Sequence, residues 1–223
     1  MRYMTLLYQG DCSVGLAQLE SESADLVILD PPYFEYATRH RKGGKQDKLS
    51  QPLIIQTREE ILAVVWECIR ILKQNRAFFL FTNWENEWWM QQALQTHLRN
   101  KVIWVKNDWS MGALGSSLAN QYETIFLGAK GNWKLKGKRV SDVQSFPRVS
   151  PVGRIHPTEK PLKLIQWIVE LTTNQGDLVI DPYLGSGVTA EVCIRTRRRL
   201  IGWEIDKDFY EATTKRVRKV ESG

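Results

Sequence analysis

The chain has 223 residues, 43% hydrophobic and 10% aromatic, so it is too apolar for a disordered protein and suits one α/β domain. Lysine and arginine outnumber aspartate and glutamate by 31 to 25, and the resulting net charge of +6 favours an anionic partner. The apolar runs are too short for a membrane span or a signal peptide, and the three cysteines lack the spacing of a zinc site, so we expect a cytoplasmic protein without metal.

The first part of the chain predicts two short buried strands around a helix. Apolar runs at Leu6–Tyr8 and Ala24–Leu29 favour strands, and Ser13–Leu19 favours the helix between them. The second strand stops at two prolines. A polar, basic stretch follows at about residues 34–53, and its composition predicts a long surface loop.

The middle of the chain continues the alternation of helices and strands. Thr57 and Glu60 form a capping box in front of apolar residues at helical spacing, which predicts a helix. A buried strand at Ala77–Phe81 and a helix at Trp84–Leu98 follow. Further strands are predicted at Val102–Val105 and Glu123–Leu127.

The last part predicts a helix, a strand and a glycine loop. Pro161 suits the first position of a helix that ends near Thr172, and strand Leu178–Asp181 runs into the glycines. Helix, strand and helix follow. This alternation predicts a mostly parallel sheet covered by helices on both faces, with ligands at the carboxyl ends of the strands.

The glycine loop predicts a nucleotide-like ligand. Gly185–Ala190 satisfies the dinucleotide fingerprint, and Glu204 follows at the distance expected of an acid that holds ribose hydroxyls. Asp181 argues against NAD, because its carboxylate would face the pyrophosphate. S-adenosylmethionine instead carries an ammonium at one end and a ribose diol at the other, so each acid can accept hydrogen bonds from one end. A tight turn with an incidental acid is the alternative.

A tetrapeptide, Asp30-Pro31-Pro32-Tyr33, follows the second predicted strand. The prolines restrict the backbone and leave the Pro31 carbonyl as an acceptor. Asp30 and this carbonyl could each accept one N–H of a base amine and so localise the nitrogen lone pair for direct methyl transfer, while Tyr33 stacks on a flipped base. The alternative is a strand ended by prolines. Methylation at a ring carbon of cytosine is disfavoured, since no cysteine follows a proline.

With both segments in place, the chain resembles the β group of exocyclic-amino DNA methyltransferases, in which the catalytic tetrapeptide precedes the cofactor loop. The resemblance covers nearly the whole chain. The ordered motifs are Gly10-Asp11, Asp30–Tyr33, Trp104 with Lys106, Tyr122-Glu123, His156–Pro161, Asp181–Thr189, and Gly202–Asp206 with Tyr210. The resemblance implies a Rossmann-like methyltransferase fold with circularly permuted motif order, a seven-stranded sheet with one antiparallel edge strand, and a single catalytic domain over residues 1–223.

The resemblance also implies roles for individual residues. The catalytic set is Asp30, Pro31, Pro32 and Tyr33. The cofactor set is Asp11, His156, Thr158, Lys160, Asp181, Tyr183, Gly185, Ser186, Gly187, Thr189, Glu204 and Asp206. Within it, the segment from His156 to Lys160 borders the methionine end and Asp11 lies near the adenine. Tyr183 departs from the Phe that is usual in the family.

The tetrapeptide begins with Asp, which in this family goes mostly with N6 of adenine, whereas a Ser start is usual for N4-cytosine enzymes. We therefore expect an adenine-specific enzyme of the restriction-modification type, with N4-cytosine as the alternative. Glutamine methyltransferases favour an Asn start, and ribosomal RNA enzymes usually place the cofactor loop first. A DNA-binding protein that holds the cofactor without turnover is a further alternative. Similar enzymes are often dimers, so a homodimer is expected.

Two basic clusters are candidate DNA contacts, and the resemblance places target recognition at about residues 130–154, where this chain is short. We expect the first cluster beside the base pocket, where its side chains could neutralise phosphates, and the second near the active edge of the sheet. Solvated surface is the alternative. The candidate residues are Arg39, Arg41, Lys42 and Lys45 in the first cluster, and Lys134, Lys136, Lys138 and Arg139 in the second.

Overall fold

A computed structural model describes residues 4–32, 56–109, 118–150 and 152–222 of the chain. Within these ranges the helices are α1 (Cys12–Leu16), α2 (Arg58–Ile71), α3 (Glu87–Leu94), α4 (Leu162–Thr172), α5 (Val188–Arg195) and α6 (Lys207–Glu221). The strands are β1 (Thr5–Gln9), β2 (Ala24–Leu29), β3 (Leu72–Thr82), β4 (Leu98–Val105), β5 (Tyr122–Lys130), β6 (Val143–Ser145), β7 (Leu178–Asp181) and β8 (Arg199–Glu204).

The strands form one eight-stranded sheet in the order β1-β8-β7-β2-β3-β5-β4-β6. All of them run in one direction except β5, which pairs antiparallel with β3 on one side and β4 on the other. The predicted α/β class and mostly parallel sheet are confirmed. Two details differ: the sheet has eight strands rather than seven, and its antiparallel strand lies inside the sheet rather than at its edge.

The additional strand, β6, explains the higher strand count; without it β4 would form the edge of the sheet, and β5 would still lie between β3 and β4. It lies in the basic segment, pairs in parallel with the outer edge of β4, and has only three residues. Backbone hydrogen bonds hold it while its side chains stay largely exposed. A strand without a buried face has no hydrophobic alternation, and the sequence pattern therefore does not reveal it.

Helices cover both faces of the sheet. On one face α1, α2 and α3 contribute to a core that includes Val27 and Leu29 of β2. On the other face α4, α5 and α6 pack over Leu26 and Ile28. Alternate side chains of β2 thus enter two different cores. This is why Leu26–Leu29 form a continuous apolar run rather than an alternating pattern.

The capping box at the start of α2 is present as predicted. The Thr57 amide donates to Glu60 Oε2 at 2.7 Å, and the Glu60 amide donates to Thr57 Oγ1 at 3.2 Å. These two bonds satisfy amides that a helix start otherwise leaves without partners. The helix therefore begins at Arg58, where the sequence places it.

Strand β3 begins earlier than the predicted strand at Ala77–Phe81. Residues 73–76 are polar, so the apolar pattern does not reveal this part of the strand. It follows α2 directly at Leu72, and Asp25 of β2 lies beside it. The Asp25 carboxylate is buried and accepts hydrogen bonds from Lys73 at 3.0 Å and from the Leu178 amide at 3.0 Å. Its ion pair with Arg76 measures 2.9 Å. Charge pairing therefore stabilises this end of the sheet alongside the apolar burial of Ala24, Leu72 and Leu178.

The helix predicted at Trp84–Leu98 is shorter in the structure. It begins at Glu87 and ends at Leu94, and Leu98 already belongs to β4.

The three cysteines are free and buried, which agrees with their interpretation as core thiols. Among the described residues, no helix has both the length and the hydropathy that crossing a membrane requires.

Replacing Gly128 by alanine tests the packing between β3 and β5. Gly128 lies opposite Phe78, and an added Cβ would be 2.0 Å from Cζ of that ring. We expect Gly128→Ala to lower the free energy of unfolding by about 1–3 kcal/mol, measured by urea denaturation. Phe78→Leu should relieve the clash, so the double variant should be less destabilised than the sum of the two single variants. Additive losses would contradict this packing.

Candidate active site

The carboxyl ends of four adjacent strands surround one cavity. Gly10 follows β1, Asp30 follows β2, Asp181 ends β7 and Glu204 ends β8, and all four residues line the cavity. Gly185 lines it as well. Asp30–Pro32 and the glycine loop are far apart in the sequence and meet at this cavity, as predicted.

The glycine turn connects β7 to α5 and is bonded to β8. Gly185 and Gly187 have φ values of +52° and +74°, in the left-handed region that favours glycine. A Cβ at Gly187 would also lie 2.5 Å from Cγ2 of Thr213 in α6. The Leu184 amide donates to the Trp203 carbonyl at 2.9 Å. The turn therefore needs glycine at position 187 both for its backbone and for the space beside α6.

Glu204 holds the glycine turn through backbone amides. Its Oε2 accepts from the Gly185 amide at 2.8 Å, and its Oε1 accepts from the Asp206 amide at 2.9 Å. Burial raises the pKa of this carboxyl above its ordinary value. A carboxylate has about four acceptor positions. Two amide donors therefore leave capacity for the hydroxyls of a ribose.

Asp181 is the second buried carboxyl of the cavity, with 4% of its surface exposed. Its Oδ1 accepts from the Tyr183 amide at 2.9 Å. Burial raises the pKa of Asp181 to about 7. A cationic ligand would favour its ionised form, because opposite charges attract strongly in a site shielded from water. The residues present thus fit S-adenosylmethionine, which carries an ammonium and a ribose.

Tyr183, the departure from the family's usual Phe, is accommodated by a hydrogen bond. Its ring lines the cavity and its hydroxyl donates to Oε1 of Gln56 at 3.1 Å. A buried hydroxyl without a partner would be unfavourable, and Gln56 supplies that partner. The substitution therefore preserves the aromatic ring without leaving the hydroxyl unsatisfied.

The segment from His156 to Lys160 packs against the glycine turn. The His156 ring meets Phe209 of α6 edge-on, with ring centroids 4.3 Å apart, and its Cγ lies 3.6 Å from the Cβ position of Gly185. Nδ1 lies 3.0 Å from Oγ1 of Thr158. Burial lowers the pKa of His156 to about 4, so the ring is neutral near pH 7. It serves as a packing surface rather than a charge.

Arg216 of α6 anchors this segment and was not predicted from the sequence. Its guanidinium donates to Glu159 at 2.6 Å and to the Ser186 carbonyl at 3.2 Å, and it also donates to Glu191 at 2.5 Å. Glu159 in turn accepts from the Ile155 amide at 2.9 Å. These contacts join parts of the chain that are distant in sequence, so no local motif identifies them.

Lys160 lies beside the tetrapeptide, with its side chain 6% exposed. Its Nζ is 2.8 Å from Oδ2 of Asp30 and 3.3 Å from Oε2 of Glu123. Oε1 of Glu123 is 2.7 Å from Nζ of Lys106. The resemblance implied a place at the methionine end of the cofactor, which stays a prediction; in the structure Lys160 lines the cavity and its ammonium pairs with these two carboxylates.

These four charges alternate in sign, and the alternation governs their ionisation. Burial raises the pKa of Asp30, and the Lys160 charge opposes this effect. Burial also acts to raise the pKa of Glu123, but the two ammonium groups outweigh it and the pKa lies below its ordinary value. Burial would lower the pKa of Lys160, but the two carboxylates raise it overall.

Other predicted site residues line the same cavity or lie outside the described ranges. Asp11 caps α1 by accepting from the Ser13 amide at 2.8 Å. Asp11, Pro31, Pro32, Thr158, Ser186, Thr189 and Asp206 line the cavity. Tyr33 and the first basic cluster, with Arg39, Arg41, Lys42 and Lys45, lie outside the described residues.

The second basic cluster does not begin where the sequence analysis expected. Lys134, Lys136, Lys138 and Arg139 are exposed, but they follow the end of β5 at Lys130. Because β5 is antiparallel, Lys130 pairs with Arg76 near the start of β3, at the end of the sheet away from the cavity. Contact of this cluster with DNA stays a prediction, but the cluster begins away from the active edge near which it was expected.

Comparison with known proteins identifies the family of this chain. Residues 24–215 match the model of a DNA methylase family that covers N6 and N4 enzymes. The Type II methyltransferase M.HinfI of Haemophilus influenzae is 25% identical over 250 residues, covering 98% of this chain and 70% of M.HinfI.

Two solved structures show the same fold. The M1.HpyAVI–SAM complex has a TM-score of 0.73 at 21% identity, with 96% of this chain and 99% of the other covered. The cytosine-N4-specific PvuII DNA methyltransferase has a TM-score of 0.73 at 17% identity, with 99% and 93% covered. The predicted Rossmann-like methyltransferase fold is thus confirmed. The chain belongs to the N6/N4 family of DNA methylases, whose cofactor is S-adenosylmethionine, as the sequence predicted.

Proposed function

We propose that this chain transfers the methyl group of S-adenosylmethionine to the N6 amine of adenine in DNA. The observation that carries the proposal is the shared cavity, in which Asp30 and Pro31 lie at one strand end and the Gly185 turn lies at another. An amine acceptor pair and a cofactor cradle in the same cavity bring both reactants within reach. Positioning of this kind supplies much of the rate of a direct transfer.

Asp30 and Pro31 would orient the amine of the base. One oxygen of Asp30 and the Pro31 carbonyl each accept one N–H, which directs the nitrogen lone pair away from the ring and towards the methyl group. An amine inside a duplex is paired and stacked, so the target base has to be flipped out before it reaches this position. Tyr33 would stack on the flipped base.

Asp181 and Glu204 would hold the two ends of the cofactor. Asp181 accepts from the ammonium of the methionine moiety, and Glu204 accepts from the ribose hydroxyls while it keeps the glycine turn in place. When bound, S-adenosylmethionine supplies a methyl group on a positively charged sulfur, and the electron pair of the broken C–S bond stays on that sulfur. The surplus proton of the methylated nitrogen passes along its hydrogen bond to Asp30 and then to solvent.

The choice of adenine rests on the Asp at the start of the tetrapeptide. N4 of cytosine is the alternative, and it has specific support because the PvuII enzyme of the same fold is cytosine-N4-specific. The exocyclic amines of the two bases offer the same two N–H donors to Asp30 and Pro31. The choice of adenine over cytosine therefore rests on the usual association of an Asp start with adenine in this family, not on the hydrogen bonds themselves.

Other expectations from the sequence remain part of this proposal. We infer a single catalytic domain, DNA contacts through residues 34–53 and 130–154, a homodimer and a cytoplasmic location. The basic charge of the chain, +6, supports the DNA contacts because each neutralised phosphate releases counterions. A role in restriction-modification is proposed from the similarity to M.HinfI, a Type II methyltransferase.

Asp30→Ala tests the catalytic assignment. Removing one acceptor of the transition state should slow methyl transfer by about 100-fold to 1000-fold, measured with labelled donor on methyl-free genomic DNA. Donor affinity, measured by calorimetry, should change little because Asp181 and Glu204 are intact. Base analysis of the wild-type product should yield N6-methyladenine. Finding methylcytosine alone would overturn the choice of base, and equal rates in both proteins would overturn the role of Asp30.

The pH dependence of donor binding tests the role of Asp181. Its pKa of about 7 in the donor-free protein means that the carboxyl is mostly protonated below pH 7 and ionised above it. The ammonium of the donor favours the ionised form, so affinity should rise by about tenfold per pH unit up to pH 7 and then level off. Titration calorimetry between pH 5.5 and 7.5 keeps most of the donor's amine charged.

Two matched controls accompany this measurement. Asp181→Asn should bind the donor weakly and with little dependence on pH. The wild-type protein should bind 5′-methylthioadenosine, which lacks the amino-acid moiety, with little dependence on pH over the same range. Equal pH dependence for both ligands would place the ammonium elsewhere.

A further inference from the structure

We propose that Lys160 is a positioning residue which, together with Glu123 and Lys106, keeps Asp30 ionised and turned towards the amine of the target base. This inference rests on the proposed function, since it assigns a role relative to Asp30 as the amine acceptor. It adds a second role to the cofactor contact that the family resemblance implies for Lys160, and that contact stays a prediction. It also assigns roles to Glu123 and Lys106.

The geometry divides the two oxygens of Asp30 between two tasks. Nζ of Lys160 lies 2.8 Å from Oδ2. A carboxylate fixed through one oxygen can rotate little about its last bond, so the direction of Oδ1 is fixed as well. The Asp30 side chain is 22% exposed and lines the cavity. The contact with Lys160 therefore orients Asp30 as an acceptor for a ligand in the cavity.

The charges of the cluster balance among its four members. Two carboxylates, Asp30 and Glu123, alternate with two ammonium groups, Lys160 and Lys106. The side chains of Glu123 and Lys106 are each 17% exposed, and that of Lys160 is 6% exposed. Charges so poorly hydrated stay ionised only when opposite charges lie close to them. Each member of the cluster therefore supports the ionisation of its neighbours.

Ionisation of Asp30 decides whether it can act. A carboxylate offers only acceptors, whereas a protonated carboxyl presents an O–H donor that would face the N–H of the amine. Burial favours the protonated form of Asp30 and raises its pKa, and the nearby Lys160 charge opposes this effect. Lys160 thus preserves the acceptor that the reaction requires.

Charged groups reach Asp30 from several elements of the fold. Lys160 comes from the segment before α4, Glu123 from the start of β5, Lys106 from the end of β4, and Asp181 from the end of β7. The two lysines lower the pKa of Asp30 and Glu123 raises it. Removing a lysine and removing Glu123 should therefore shift the ionisation of Asp30 in opposite directions.

Single-turnover methyl transfer between pH 5 and 9, with DNA and donor saturating, separates these effects. Saturating donor keeps Asp181 ionised, so the acid limb of the rate reports Asp30. Lys160→Met should move this limb to higher pH and slow transfer at pH 7 by at least about 10-fold. Glu123→Gln should move it to lower pH. Lys160→Arg should restore part of the rate, because it restores the positive charge.

Two more variants keep the test decisive. If Lys160→Met does not fold, Lys106→Met should still move the limb to higher pH, by a smaller amount because the Lys106 charge contacts Glu123 and acts on Asp30 only from farther away. Lys73→Met is the matched control, since Lys73 pairs with the buried Asp25 at 3.0 Å at the amino-terminal end of the sheet. It should leave the acid limb unchanged, because its ion pair lies away from the cavity.

A donor-free measurement gives a second readout. Carbon-13 NMR of aspartate-labelled protein follows the carboxyl of Asp30, which is identified by its loss in Asp30→Asn. Its titration should move to higher pH in Lys160→Met and to lower pH in Glu123→Gln. Unmoved limbs, or shifts of the same sign in the two variants, would refute the inference while leaving Asp30 catalytic. Full activity of Asp30→Ala would instead refute the proposed function.

Discussion

The site depends on the cost of holding carboxylates where little water reaches them. Three strand ends place Asp30, Asp181 and Glu204 around one cavity, and burial raises the pKa of each. Each acid is compensated differently. Lys160 pairs with Asp30, and backbone amides donate to Glu204. Asp181 accepts one amide from Tyr183 and still has a pKa of about 7. The cavity therefore favours a ligand that brings a positive charge to Asp181, which matches the ammonium of the cofactor.

The same carboxyl links cofactor binding to stability. The pKa of Asp181 is higher in the folded protein than in an unfolded chain, so the unfolded chain ionises first as pH rises. The donor-free protein consequently loses stability between the ordinary carboxyl range and about pH 7. A bound ammonium favours the ionised form and offsets that loss. Binding to the folded state alone adds to stability by mass action as well. A functional carboxylate thus destabilises the protein until its ligand is present.

Much of the fold could be predicted because its signals are local. The capping box at Thr57, the strand end at Asp30 and the glycines of the turn at Gly185–Gly187 all follow from neighbouring residues. The polar start of β3 and the three-residue β6 could not be predicted, since charge pairing or backbone pairing stabilises them without a hydrophobic period. Side chains joined across the fold, such as Arg216 with Glu159, have no local signal either.

The direction of β5 explains why Glu123 reaches the candidate site and why the second basic cluster begins away from it. Because this strand alone runs against the others, its first residues reach the carboxyl edge of the sheet, and Glu123 arrives beside Lys160. A parallel strand in this place would bring its last residues there instead. The same reversal carries Lys130 to the opposite end of the sheet and takes the start of the second basic cluster with it. Residues 131–150 then return along the β6 edge of the sheet towards the carboxyl ends, since β6 runs parallel to β4 and the Arg148 amide donates to the side chain of Asn107.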